Sequence, residues 1–239
     1  MRGTGIDARA ERTQPTRAVS RDSLSRTRLL VPQTRPGTVS RSHLGGIVCE
    51  LRPPVVTVTA PAGYGKTTAL IDWQRLSRSA QPLAWLSLDQ NDNDPLLFWQ
   101  HIIRALRTIH LDISDQIPQL FNAPQPPPLE VLLLALVQAI AKAPQHFVLV
   151  LDDYHVITTP AIHESLDYLL AHFPPQMHIV ISSRQNPPLA LARLRVKRQL
   201  REVRASDLRF TCEEAGILFN QVMELKLPEE TIAARLASV

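Results

Sequence analysis

Short β-branched or uniformly apolar runs alternate along this chain with longer stretches whose apolar residues recur every three to four positions. Val55 to Thr59 (VVTVT), bounded by Pro53-Pro54 and Ala60-Pro61, has the pattern of a strand. A helix is expected from about Lys66, with Leu70, Trp73 and Leu76 on one face. Leu83 to Leu88 is the next strand candidate. Asp94-Pro95 then opens a helix, Asp94 as N-cap and Pro95 in the first helical position. Its inner face is Leu96, Trp99, Ile102, Ile103, Leu106 and Ile109. From Leu111 to Pro128 no period holds, and the closing prolines forbid helix continuation, so a loop is expected.

Leu129 to Ala143 reads as a strongly apolar helix, and Phe147 to Leu151 as a strand buried on both faces. Thr159-Pro160 begins a helix with Ile162, Leu166, Leu169, Leu170 and Phe173 inward. His178 to Ser182 is a further strand and Leu200 to Val203 a weak one. Thr211 and Glu214 form a capping box for a helix with Ala215, Leu218, Phe219 and Val222 inward, and Thr231 to Ala237 is helical. Such alternation implies an α/β fold: a parallel, doubly wound sheet of about five strands with helices on both faces. Ligand chemistry belongs at the carboxyl ends of the strands. The organisation expected is a basic tail over 1–28, an α/β domain over 29–208 and the start of a helical subdomain over 209–239.

Charge changes the picture only at the tail. Seven arginines against three acids lie in residues 1–28, whereas the rest of the chain balances nineteen basic with nineteen acidic side chains. Rich in Arg, Ser and Thr and poor in large apolar residues, the tail is expected to be disordered. Cys49 and Cys212 make neither a disulfide framework nor a metal cage. The longest apolar run, Val131 to Val137, falls far short of the ~20 residues a membrane span needs. No signal peptide is legible, so a cytoplasmic protein with no membrane contact is expected.

The chemistry concentrates in three places. Ala60 to Thr68 (APAGYGKTT) follows the first strand and matches the phosphate-loop pattern G-x-x-x-x-G-K-[ST], with Ala60 in place of the first glycine. Ala62, Gly63, Tyr64, Gly65, Lys66, Thr67 and Thr68 are therefore the candidate nucleotide-binding residues. Backbone N–H groups there form an anion nest at a helix N-terminus. Lys66 would meet the β- and γ-phosphates, and the Thr67 hydroxyl a Mg²⁺ ion. Phe147 to Asp153 (FVLVLDD) is an apolar strand ending in acid, the Walker B form. Asp152 is the candidate metal ligand and Asp153 the group that orients or deprotonates an attacking water. Arg184, just beyond the strand IVISS, could stabilise charge developing on a γ-phosphate. His155 reads as a neutral structural histidine, and the other histidines share no metal-ligand spacing. The basic cluster from Arg193 to Arg204 reads equally as a solvated face or a partner surface.

Together the motifs resemble the ATP-binding core of MalT-type, LuxR-family transcription regulators, within the STAND class of P-loop NTPases. The segments that carry it are LLVP (29–32) with VSR (39–41), TAPAGYGKTT, WLSLDQNDNDPLLFWQHIIRAL, LVLDDYHVI, IVISSR and LRFTCEEA. The resemblance implies an ATP/ADP switch with weak Mg²⁺-dependent ATPase activity and self-association or regulator partners. Gly63, Gly65, Lys66, Thr67 and Thr68 would hold phosphates, Asp152 the Mg²⁺, Asp153 the water, and Arg184 would be the sensor. No recognition helix or repeat array is legible before Val239, so direct DNA binding and inducer binding are not expected of these residues. A fragment or a short product keeping only the nucleotide module is expected. Two other classes stay open: a P-loop phosphotransferase acting on a small molecule, and a non-catalytic interaction module that binds nucleotide for stability.

Overall fold

Five parallel strands in the order β2-β3-β4-β1-β5 form the centre of the protein. They are β1 (Val55–Thr59), β2 (Leu83–Ser87), β3 (Phe147–Asp152), β4 (Met177–Ser183) and β5 (Leu200–Arg204). The computed structural model describes residues 27–34, 37–41, 53–76, 81–111, 113, 116–121 and 123–237. Most of the basic tail, and Cys49, therefore lie outside the described residues.

Alternation along the strands divides the core into two layers. Phe147, Leu149 and Leu151 of β3 join Met177, Ile179 and Ile181 of β4 on one face, against Trp99, Ile102 and Leu106. Val148, Val150 and Val180 point the other way, towards Leu70 and Trp73 of α1 (Lys66–Leu76). The first face is covered by α2 (Pro95–Arg107), α3 (Gln116–Phe121), α4 (Leu129–Ile140), α5 (Pro160–Ala171) and α6 (Leu191–Val196). Full burial of each large apolar side chain contributes about 1.5–3 kcal/mol. The buried indole of Trp99 also donates to Ser165 Oγ at 3.0 Å, which removes the penalty of an unpaired N–H.

Local signals hold where a single side chain decides them. Asp94 accepts from Leu97 N at 2.9 Å and Pro95 follows it, so α2 begins where the sequence places it. Thr211 and Glu214 form their reciprocal capping box at α7 (Cys212–Gly216). The structure departs from the sequence reading elsewhere. The expected loop before Pro128 contains α3, because Ile117 and Phe121, one helical turn apart, both reach the core. Its Pro118 sits in the first turn, where no N–H is missed. The short α6 escapes the sequence because only Leu191 and Leu194 carry its buried face. Leu76, expected inside, is 42% exposed. α7 runs into a π-helical stretch, Ile217–Val222, so the 3.6-residue period fails there and Val222 is 41% exposed. A last helix, α8, covers Glu229–Ala237. Among the described residues no helix is long and apolar enough to cross a membrane.

Arg28, which the charge pattern groups with the tail, is an anchor. Its Nε donates to Ser87 O at 2.8 Å, and its guanidinium pairs with Asp89 at 3.1 Å and with the fully buried Asp92. His101 Nδ1 lies 2.6 Å from the other Asp92 oxygen. A buried carboxylate held by so many partners is costly to disturb. Asp92→Asn is expected to lower unfolding stability by about 2 kcal/mol, read as a shift in urea midpoint at unchanged slope.

Candidate functional site

Because β4 lies between β1 and β3, its carboxyl end separates the phosphate loop from the acidic pair. Thr59 is in register with Ser183, and Leu151 with Ile181, so the carboxyl ends of all three strands lie side by side. This insertion of β4 is invisible in chain order.

The loop from Ala60 to Lys66 is shaped by two glycines at φ +85° (Gly63) and +74° (Gly65), a conformation side chains resist. Ala60, in the first-glycine position, is buried and donates its N–H to Ser183 O at 3.2 Å, so a small side chain fits. Lys66 folds back beneath the loop, its Nζ donating to Ala60 O at 2.8 Å and Pro61 O at 3.0 Å. Burial pushes its pKa down; Asp153 opposes that shift, Arg184 reinforces it and Asp152 opposes it. Thr67 Oγ1 donates to Asp152 Oδ2 at 2.9 Å, which brings together the two oxygens expected to face a metal. Asp152 is buried at the end of β3, and its pKa is raised by that burial. Hydrogen bonds from Ser182 Oγ, Thr67 and Asp153 N hold it in place and pull the value back.

Asp153 leaves the strand in a left-handed turn, φ 60°, with its carboxylate about half exposed at 46%. Arg184 is exposed beyond β4, and its charge reaches both Lys66 and His155. Lys66, Thr67, Asp152, Asp153 and Arg184 are thus brought near one another at the carboxyl ends of the strands. Ala62 and Gly63 are exposed, and Tyr64, Gly65 and Thr68 are half-buried.

Other members of the site carry weaker sequence signals. Ser182 holds Asp152 and is marked only as a polar residue closing an apolar strand. Asn93 donates to Val156 O at 2.9 Å and accepts from Thr158 N at 2.7 Å, which pins the turn after the acidic pair. His155, read from sequence as structural, stands against Asp153. Beside the phosphate loop is a cavity of about 460 Å³, lined by Val39, Arg41, Gly65, Thr68, Leu208 and Phe210 among others. Arg41 is buried there; its guanidinium bonds Tyr64 O at 3.4 Å and Leu208 O and stacks 4.7 Å from the Phe210 ring centre. Its Nε, also buried, has no partner. Burial lowers the Arg41 pKa, against the pull of Glu214 and Asp72.

The distal basic cluster is an exposed face in which Arg195 and Arg204 pair with Glu202 at 2.9 and 3.0 Å. Among the described residues, no group of three or more His, Cys, Asp or Glu could hold a metal by itself. The donor set nevertheless suits Mg²⁺, which takes one carboxylate, a hydroxyl and substrate phosphates rather than a full protein cage.

No family model matches the chain. It is 38% identical over 166 residues to the HTH-type transcriptional regulator MalT of Cronobacter sakazakii, covering 68% of this chain and 18% of that protein. Against MalT of Klebsiella pneumoniae it is 36% identical over 169 residues, 70% of this chain and 18% of the relative. The chain spans about a fifth of the length of the curated relatives it matches. Solved structures share the fold. Cdc6p of Pyrobaculum aerophilum superposes with TM-score 0.51 at 15% identity, over 85% of this chain and 55% of that one. A Walker-type ATPase of Pyrococcus abyssi gives 0.51 at 13%, over 86% and 65%. The Aeropyrum pernix Orc1 protein, solved in complex with DNA, gives 0.52 at 14%, over 81% and 51%.

Proposed function

We propose that this chain, which is similar over about two thirds of its length to the MalT regulators, is the STAND-class P-loop NTPase core of a MalT-type, LuxR-family regulator and acts as an ATP/ADP switch module with slow Mg²⁺-dependent hydrolysis. The observation that carries the reading is the gathering of Lys66, Thr67 and Asp152 at the carboxyl ends of the strands, with a cavity of about 460 Å³ beside the phosphate loop. The phosphates would lie on the N–H groups of Gly63 to Thr68, at the positive end of α1. Lys66, now held by two loop carbonyls, has short ion-dipole contacts that a phosphate oxygen can replace.

Thr67 and Asp152 are the oxygens that would hold Mg²⁺, which supplies charge neutralisation between the phosphates when bound. Asp153, half exposed just past β3, would take a proton from water attacking the γ-phosphate. Arg184 would add positive charge where the transferred group develops negative charge. The base would enter the cavity between Arg41 and Phe210, and the α/β body would meet the segment after Arg209 there, through Leu218 and Leu236. Such a junction lets ATP and ADP bias the arrangement of the two parts differently, which is what a nucleotide switch requires.

Phe210→Ala is expected to weaken ATP and ADP alike by about tenfold, since base stacking is common to both; calorimetric titration with each nucleotide checks it. The switch itself is tested by sedimentation velocity with ATP against ADP. Distinct association states support the reading, and identical profiles at saturating nucleotide contradict it.

A further inference from the structure

His155 occupies an unusual position for a residue with no established task. Its Nδ1 is buried and lacks a hydrogen-bond partner, and lies 3.7 Å from Asp153 Oδ1. That separation is too long for a hydrogen bond and short enough for a small side-chain rotation to make one. A buried polar atom left unpaired costs about 1–3 kcal/mol, so the site gains by closing the gap.

The backbone beneath the pair is held firmly. The backbone carbonyl of Asp153 accepts from Val156 N at 3.1 Å, Tyr154 O accepts from Ile157 N at 3.0 Å, and Asn93 ties Val156, Thr158 and Thr159 from outside. Tyr154 is fully buried, with its hydroxyl 2.8 Å from His163 Nδ1. The left-handed φ of Asp153 is thereby fixed, and only the two side chains are left to adjust. The charges acting on the imidazole are those of the site: Asp153, Arg184, Lys66 and Asp152. Burial lowers its pKa, which favours the neutral ring with one N–H to place.

We propose that His155 is a positioning residue for hydrolysis: its Nδ1–H donates to Asp153 Oδ1 and turns the other carboxylate oxygen towards the attacking water. This rests on the nucleotide-switch reading above. In the step it serves, water oxygen bonds to the γ-phosphorus and gives a proton to the free oxygen of Asp153. The bond from that phosphorus to the β–γ bridging oxygen breaks, and ADP leaves with the electron pair. His155 keeps its proton throughout. The neighbouring Lys66 and Arg184 disfavour an imidazolium, so a donor role fits better than a base role.

The test uses His155→Ala, His155→Asn and His155→Gln in the full chain. An asparagine amide nitrogen can stand where Nδ1 stands, whereas glutamine reaches to the Nε2 position. His155→Ala is expected to lower turnover about twentyfold with ATP affinity within about twofold of wild type. Asparagine should restore most of the rate and glutamine little. In the nucleotide-free protein, nitrogen-detected NMR should find the His155 proton on Nδ1, and Asp153→Ala should release it to Nε2. Wild-type turnover in His155→Ala, or an Nε2–H tautomer unaffected by Asp153→Ala, overturns this inference alone. Equal loss in the Ala and Asn variants, with weaker ATP binding, assigns His155 a structural role and also overturns it. A wild-type protein that binds no nucleotide overturns the underlying reading and this inference together.

Discussion

Asp153→Asn should bind MgATP with near wild-type affinity while its turnover falls by about a thousandfold, the scale of losing a general base. The two effects separate because of where the side chain sits. Asp153 lies outside the strand, half exposed, and makes no hydrogen bond to the phosphate loop, whereas Asp152 bonds Thr67 directly. Replacing a carboxylate with an amide of the same shape keeps the left-handed turn, which asparagine tolerates well. It removes only the capacity to accept a proton. Single-turnover phosphate release beside calorimetric binding separates these quantities. Parallel losses in affinity and rate would show that Asp153 holds the nucleotide rather than the water.

Lys66→Ala should act on binding itself, lowering ATP affinity by at least about a hundredfold. An ammonium meeting phosphate oxygens inside a crevice makes charge-assisted hydrogen bonds roughly twice as strong as neutral ones. In the free protein that ammonium is buried against two carbonyls, and desolvation already disfavours its charge. Its removal therefore costs the empty fold little, and the melting temperature without nucleotide should stay near wild type. Added ATP should stabilise wild type but not the variant, because a ligand raises stability only through its affinity for the folded state. A variant that melts much lower without nucleotide would instead make Lys66 a structural residue.

How far the sequence carries this picture depends on whether a feature is decided locally. β1 is legible as a β-branched run bounded by prolines, β3 because a strand covered on both faces is apolar up to its closing aspartate, and α2 because one aspartate and one proline fix its start. The order of strands is set by pairings between residues far apart in the chain, such as Val55 with Ile179, and no local pattern encodes it. α3 is hidden because two side chains, Ile117 and Phe121, hold it against a core that other segments build. The π-helical stretch breaks the period from which its inner face was inferred.

The candidate site divides the same way. Lys66, Thr67, Asp152 and Asp153 stand in two contiguous motifs, so their types and spacing reveal them. Arg41 and Phe210 come from segments distant from the phosphate loop and meet it only in the folded cavity. Asn93 works through the carbonyl and amides of another loop, which no motif records. His155 differs again: it adjoins a motif in the chain, and its bearing on Asp153 shows only in a distance and an unpaired nitrogen.

The central claim is that a nucleotide triphosphate and Mg²⁺ dock where β1 meets α1. Calorimetric titration of the wild-type chain with ATP, in the presence and absence of Mg²⁺, tests it most directly. The account predicts one site per chain, tighter with the metal, with the metal's contribution lost in Asp152→Asn. Saturating MgATP that gives neither binding heat nor a shift in melting temperature would contradict it.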